Sequence, residues 1–326
     1  MKAIQVTQFG GPKELVYTDV EDLVAGKGQI CVRLYAAGVN PSDTYTLTGT
    51  YAFSIPQLPY TPGLDGSGIV EAIGEEVTNV RVGDRVFIAS LVKGHSTGTF
   101  AQKVVCDAAL AHPLPEHVSF EQGAALGVPA FTAYRALFQR ACLKPGQTVL
   151  IHGASGGVGL QAVQMAKSHG AKVIGTASRH EGKKLVQQAG ADFVIDHVKE
   201  ATIEDVLALT GGKAPDVIIE FLANKNLETD LKLIAPFGKI VIIGNRGSIE
   251  INPRLAMQKE CDILATALWN APKEEYEQSI HGVIGMLTSG ALRPIIGTTL
   301  PLQQASQGFE QVEKGLGNGK LVLIID

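Results

Sequence analysis

Residues 148–166 read TVLIHGASGGVGLQAVQMA. Thr148 and three apolar residues lead to glycines at 153, 156, 157 and 159, and apolar positions then recur at helical spacing. The pattern is a buried strand, a tight turn, and a helix that begins inside the glycines. Such a turn presents bare backbone N–H groups at the positive end of a helix, where a pyrophosphate can sit. Gly156 allows close approach to the phosphates, and Gly159 lets the helix pack closely. The fingerprint G-x-G-x-x-G is met incompletely, because Ala154 replaces its first glycine and Gly153 stands one residue earlier. A plain turn would not need so many glycines, each with its entropic penalty. The same residues also satisfy G-x-S-x-G, the nucleophile elbow of hydrolases, with Ser155 as nucleophile. That reading requires an acid and then a histidine at the ends of later strands. Asp196 and His197 end one strand together and His281 lies in a helical stretch, so the hydrolase reading fits poorly.

Downstream, AKVIGTA, ADFVIDH, PDVIIEF and GKIVIIG read as further strands, separated by amphipathic segments such as LQAVQMAKSHG and HEGKKLVQQAG. Strands alternating with helices predict βαβ units and a doubly wound parallel sheet of the Rossmann type. Beyond residue 262 come a strand, ILATALW, a helix over 273–289, and a last helix–strand return that closes back on the first lobe. Upstream, residues 1–113 are short β-branched runs punctuated by Gly, Pro and Asp, the texture of an all-β, barrel-type lobe. Ser119 with Gln122 forms a capping box that opens a helix interrupted at Pro129. The expected division is 1–122 with 265–326 as one domain and 123–264 as the other.

At 326 residues the chain is long enough for two cores. A net charge of −4 argues against nucleic acid or an anionic membrane as main partner. The four scattered cysteines form no C-x-x-C pair and suit a reducing compartment. No apolar run approaches a membrane span. MKAIQV opens as a strand and LVLIID closes the chain, so no targeting segment is expected, and cytoplasm is the expected location.

An enzyme that prefers the unphosphorylated dinucleotide carries an acid about 20 residues after the turn. Here the second strand ends Ser178-Arg179-His180, with Lys183 and Lys184 following and no carboxylate before Glu181. Hydroxyl, guanidinium and ammonium make a phosphate-binding set, which points to NADPH. Either lysine can equally be a solvated helix residue.

With HGASGGVG following a β-rich lobe that carries AAGVNPSDTY, PYTPGLDGSGIVEAIG and GDRVF, and with FTAYRAL, EFLANKNL and GNRGSIEINPR in order, the chain resembles the zeta-crystallin or NADPH:quinone oxidoreductase family. That family is the zinc-independent branch of the medium-chain dehydrogenase/reductase superfamily. The resemblance spans nearly the whole chain. It implies a discontinuous GroES-like catalytic domain, a Rossmann cofactor domain, a cleft between them, and a homodimer or homotetramer. The superfamily's alcohol dehydrogenases bind a catalytic zinc through Cys, His and Cys; here those positions are Asn40, Leu64 and Val128. Leu and Val have no ligand atoms, and the eight histidines form no H-x-x-x-H pair, so no zinc site is expected.

Without a Lewis acid, the expected chemistry is delivery of hydride or electrons to an electron-poor acceptor, a quinone or a conjugated carbonyl. Asn40 and Tyr45 would hydrogen-bond the acceptor's oxygen. The resemblance also places Tyr51 and Thr132 about the nicotinamide and substrate. Asn40-Pro41-Ser42-Asp43 is equally ordinary turn chemistry, and either tyrosine can be a packing residue. Ser155, Gly156, Gly157 and Val158 would meet the pyrophosphate. By resemblance, His197, Asn224, Gly244, Asn245, Arg246, Leu268, Trp269, Gly319 and Lys320 would border the cofactor. Three functions follow: quinone reductase, enone or enal reductase on the same scaffold, and a crystallin-type structural or RNA-binding role. The acidic balance weighs against the last.

Overall fold

The computed structural model describes residues 1–51, 53, 55–89, 94–196 and 203–326. The chain divides into two units, Met1–Pro129 with Pro294–Asp326, and Ala130–Arg293.

The first unit opens with an antiparallel pair, β1 (Lys2–Gln5) and β2 (Val16–Asp19). The long strand β3 (Gln29–Val39) leads into a short helix, α1 (Pro41–Leu47). Then come β4 (Asp65–Ile73), β5 (Arg85–Ala89), β6 (Lys103–Asp107) and β7 (Ala111–Pro113). Strands β3, β4, β5 and β7 join antiparallel, and β6 lies along β3. The register of β3 on β4 shifts between Cys31 and Val32 and again between Leu34 and Ala36. Irregularities of this kind curl a sheet, which gives the barrel-type lobe its curvature.

The Ser119 capping box forms as expected, with the N–H of Gln122 donating to Ser119 Oγ at 3.2 Å and the N–H of Ser119 to Gln122 Oε1 at 3.1 Å. It opens α2 (Phe120–Ala124), and α3 (Gly127–Tyr134) follows. The break comes at Ala125–Leu126, ahead of the expected Pro129. Pro129 sits in the first turn of α3, where its missing N–H removes no helical bond. A π-helical stretch, Arg135–Arg140, continues from α3.

The second unit is a sheet of six parallel strands. They are β8 (Thr148–Ile151), β9 (Lys172–Thr176), β10 (Phe193–Ile195), β11 (Val217–Glu220), β12 (Lys239–Ile242) and β13 (Asp262–Ala265). Their order is β10-β9-β8-β11-β12-β13. The connecting helices are α4 (Gly157–Ser168), α5 (His180–Gln188), α6 (Ile203–Thr210), α7 (Ala223–Leu233) and α8 (Pro253–Lys259), with α9 (Lys273–Thr288) after the last strand. The order is that of a doubly wound fold, so the winding direction reverses between β8 and β11 and ligands are received at the strands' carboxyl ends there. Leu150, Ile174, Ile218 and Ile240 stack across the sheet with Leu227 and Leu231 of α7 as its core.

The chain then returns as β14 (Ile296–Pro301), α10 (Ala305–Glu313) and β15 (Lys320–Ile324). Strand β15 pairs antiparallel with β3 and parallel with β14. Phe309, Leu321 and Leu323 complete the core with Ile30, Val32 and Leu34, so the first unit is discontinuous. Two details differ from the sequence reading. The return begins at Pro294 rather than 265, because α9 is tied into the second unit. Arg135 Nε reaches Glu275 Oε2 at 2.8 Å, and the ring of Phe131 meets that of Tyr276 edge-on at 5.2 Å. The return also contains β14, whose IGTTLP lacks a continuous apolar run and ends in proline.

Candidate functional site

In the second unit the glycine turn follows β8 directly and is pinned on both sides. The N–H of Ala154 donates to Thr176 O at 2.9 Å, that of Gly153 to Thr176 Oγ1 at 3.1 Å, and that of His152 to Ile219 O at 3.0 Å. Gly153 has φ +51°, a left-handed conformation in which glycine is free of Cβ strain. A Cβ on Gly159 would stand 2.7 Å from Ala154 Cα, so this glycine brings α4 against the turn, as the sequence suggested. A Cβ on Gly156 would meet only Gly153 O, at 3.5 Å, so the approach to the turn is open on that side. Gly156 is the N-cap of α4, and the helical ladder leaves the N–H groups of Gly157, Val158 and Gly159 available. Ser155, Gly156, Gly157 and Val158 are all half-buried. An open cradle of backbone donors at a helix start fits a dinucleotide's pyrophosphate.

The other expected cofactor contacts of this unit follow the carboxyl ends of the same strands. Ser178, exposed, and Arg179, half-buried, follow β9, and Arg179 is the N-cap of α5. Lys183, counted from the sequence with the phosphate-binding set, is paired within the unit. Its Nζ bonds Asp196 Oδ2 at 3.0 Å, and Asp196, just beyond β10, is buried. Asn224, in the first turn of α7, accepts from the N–H of Arg246 at 3.0 Å through Oδ1. Gly244, Asn245 and Arg246 form the loop after β12, where Asn245 Nδ2 donates to Gly247 O at 2.6 Å. Leu268, buried, and Trp269, half-buried, lie in a 3-10 turn after β13. Thr132 is buried within α3. His197 lies outside the described residues.

Sequence reasoning overlooked a trio beside the turn. His152 Nε2 lies 2.9 Å from Asp230 Oδ1 and 3.6 Å from Glu220 Oε2. Burial draws the imidazole's pKa down, but the hydrogen bond to Asp230 and the charges of both acids outweigh it and hold the pKa above its ordinary value. Burial pushes Glu220 up to about 7, against the pull of His152 and with the push of Asp230. A histidine directly after β8 and a glutamate at the end of β11 were the signal available in the sequence, whereas Asp230 comes from α7.

In the first unit, Asn40 caps α1, with its N–H donating to Asp43 Oδ2 at 2.7 Å. Its side chain is hydrogen-bonded within the unit. Asn40 Nδ2 donates to Asp65 Oδ2 at 2.8 Å, and its Oδ1 accepts from Lys320 Nζ. Lys320 Nζ also reaches Asp65 Oδ2 at 3.3 Å, and Asp65 Oδ1 accepts the N–H of Val128 at 2.9 Å. Asn40, Asp43, Asp65 and Lys320 are all buried. Burial raises the Asp65 carboxyl above its usual range against the Lys320 charge, and burial lowers Lys320. Asp43 is pushed up to about 7, mainly by burial. Asn40 and Lys320, expected at acceptor and cofactor, are joined to each other in one polar cluster. Gly319, with φ +73°, leads the chain into β15.

Tyr45 and Tyr51 are brought together. Tyr45 lies on α1 and is 38% exposed, and the two ring centroids are 6.2 Å apart. The exposed Phe53 packs edge-on to Tyr51 at 5.5 Å. Tyr45 is exposed and Tyr51 half-buried.

Residues 157–283 match the family model of zinc-binding dehydrogenases, and residues 26–116 that of the alcohol dehydrogenase GroES-like domain. The quinone oxidoreductase of Rattus norvegicus is 45% identical over all of this chain and 98% of its own length, and that of Homo sapiens 42% over the same shares. Among solved structures, Escherichia coli quinone oxidoreductase complexed with NADPH superposes with a TM-score of 0.87 at 30% identity, covering 99% of this chain and 100% of that one. An NAD-dependent alcohol dehydrogenase superposes with a TM-score of 0.92 at 28% identity over the full length of both.

Proposed function

The chain belongs to the quinone oxidoreductase family, and from that premise we propose that it reduces quinones with NADPH, without a metal ion. The observation that carries the cofactor is the open glycine cradle at the switch point, with Ser178 and Arg179 at the end of the next strand. NADPH, when bound, supplies hydride. The turn N–H groups of Gly157 and Val158 hold the pyrophosphate, and Ser178 with Arg179 hold the 2′-phosphate. Asn224 orders the Asn245–Arg246 loop by accepting the Arg246 N–H, and Trp269 and Leu268 border the nicotinamide side.

Tyr45 and Tyr51 are the donors proposed for the acceptor's oxygen, where negative charge develops. Asn40 is a positioning residue in this reading, because its amide is engaged by Asp65 and Lys320. The case against zinc is chemical. Leu64 and Val128 offer no donor atoms, and the Asn40 carbonyl already faces an ammonium. Dialysis against a chelator is expected to leave turnover unchanged.

The protein works as a homo-oligomer of at least two copies in this proposal. Among the described residues strand β13 is an edge of the sheet, paired on one side only, and Ile263 on it is exposed. Four free cysteines support a reducing, cytoplasmic setting, and among the described residues no helix is long and apolar enough to cross a membrane. The deciding experiment follows NADPH oxidation with quinones and 2-alkenals side by side. Faster turnover of quinones is expected; turnover of alkenals alone would reassign the protein to double-bond reduction.

A further inference from the structure

His152 is the last residue before the glycine turn, at the carboxyl end of β8. Glu220 ends β11, the strand across the switch point, and Ile151 and Ile219 are register partners just before them. Asp230 comes from α7. The imidazole's Nε2 therefore ties together two strand ends and a helix, at 2.9 Å from Asp230 and 3.6 Å from Glu220. The Glu220 carboxylate is itself fixed, accepting the Leu222 N–H and the Asn226 Nδ2 at 3.1 and 3.2 Å. The side chains of Glu220 and Asp230 are 0% and 1% exposed, and Asp230 Oδ2 is buried with no hydrogen-bond partner among the described residues. Among the described residues, both acids find their ion pair in His152. Two buried carboxylates sharing one imidazole hold it tightly, because the fold would otherwise leave a buried charge uncompensated.

We propose that His152 is a positioning residue for the cofactor's pyrophosphate: by joining Glu220 and Asp230 it fixes the ends of β8 and β11, and so holds the Gly153–Gly157 turn in its binding shape. This rests on the proposed dinucleotide site. The turn's pins lie on either side of His152, whose own N–H reaches β11 while the next two N–H groups reach Thr176 at the end of β9. A change in the spacing of these strand ends therefore moves the cradle directly. The charged groups that face His152 are Glu220 from β11 and Asp230 from α7; Asn226 and the Leu222 N–H beside them are neutral. Raising pH removes protons from the trio and leaves it more negative. Both the loosened clamp and the added negative charge then disfavour an anionic ligand at the turn.

The test is a fluorescence titration with two probes: NADPH, which carries the pyrophosphate, and adenosine 2′-monophosphate, which lacks it and addresses Ser178 and Arg179. His152→Ala is expected to raise the NADPH Kd by about three- to thirtyfold, with the Kd of adenosine 2′-monophosphate within twofold of wild type. The wild-type NADPH Kd is expected to rise between pH 6 and 9, and the double variant His152→Gln with Glu220→Gln to show a flat profile. Circular dichroism checks folding, and should His152→Ala not fold, the double variant alone decides through its pH profile. Equal weakening of both probes would overturn the proposal, since it would report general loosening of the unit. So would a chelator that weakens wild-type binding as much as the substitution, since the trio would then be holding a metal. Variants that bind NADPH like wild type overturn this inference and leave the cofactor site standing, whereas a wild type that does not bind NADPH overturns both.

Discussion

Lys320 Nζ lies 3.3 Å from Asp65 Oδ2 with side chains 4% and 0% exposed, so an ammonium and a carboxylate are sealed together in the core of the first unit. Removing one partner of such a pair leaves the other charge buried alone, which costs about 3–5 kcal/mol. Lys320→Met is expected to lower stability by that order, and Lys320→Met with Asp65→Asn to recover much of it, because the amide still accepts the Val128 N–H. Urea unfolding of the two variants and wild type measures the coupling.

Asp43 gives the stability a pH dependence of definite sign. Its carboxyl titrates at about 7 in the fold against 3.8 as an ordinary aspartate, mainly through burial. The folded state therefore holds this proton more tightly. The contribution is complete below about pH 4 and is lost as pH rises through about 7, with a slope of up to about 1.4 kcal/mol per pH unit. Asp43→Asn keeps an acceptor for the Asn40 N–H and removes the titration. Unfolding free energies between pH 4 and 8 should decline less steeply in this variant than in wild type.

NADPH is expected to bind at least about tenfold more tightly than NADH, since a hydrogen bond to a charged group contributes roughly 1.5–3 kcal/mol. Lys183 contributes little to this margin because Asp196 already neutralises it. Arg179→Ala should erase most of the preference, and Ser178→Asp should reverse it. Paired titrations of both cofactors check this, and an Arg179→Ala variant that kept the full margin would move the 2′-phosphate contact elsewhere.

Tyr45→Phe and Tyr51→Phe remove phenol donors while leaving the paired rings in place. A well-placed donor to a developing oxyanion is worth about 2.7–4 kcal/mol. A smaller loss is expected for a quinone, which stabilises its own charge, than for an enone. Turnover on both acceptors, with cofactor affinity unchanged, is the measurement. Asn40→Ala should act differently, lowering stability by taking from the buried Asp65–Lys320 pair the amide that bonds both.

Light scattering should show at least twice the 34.4 kDa chain mass. Ile263→Lys places a charge on the exposed edge strand β13 and should shift the protein toward monomer, with little effect on unfolding of the isolated chain.

Local pattern was sufficient for most of the fold. The glycine turn, the six strands of the parallel sheet and the Ser119 capping box form because each depends on neighbours in sequence: period, turn conformation, a side chain reaching three residues along. The discontinuous first unit was also legible, because a chain that ends in a strand after βαβ units must find a sheet edge. Strand β14 was not legible, because its pairing with β15, rather than its own apolar content, makes it a strand. The same distinction divides the candidate site. The positions of Gly153 to Val158, Ser178 and Arg179 at strand ends could be read from the chain because backbone geometry puts turn residues there. The partners of Asn40, Lys183 and His152 could not. They are Asp65 and Lys320, Asp196, and Glu220 with Asp230, and each is supplied by a different strand or helix. Sequence alone assigns these side chains their chemistry; only the folded chain decides which charge each one meets once water is excluded, and so whether it contacts a ligand or holds the protein's own framework.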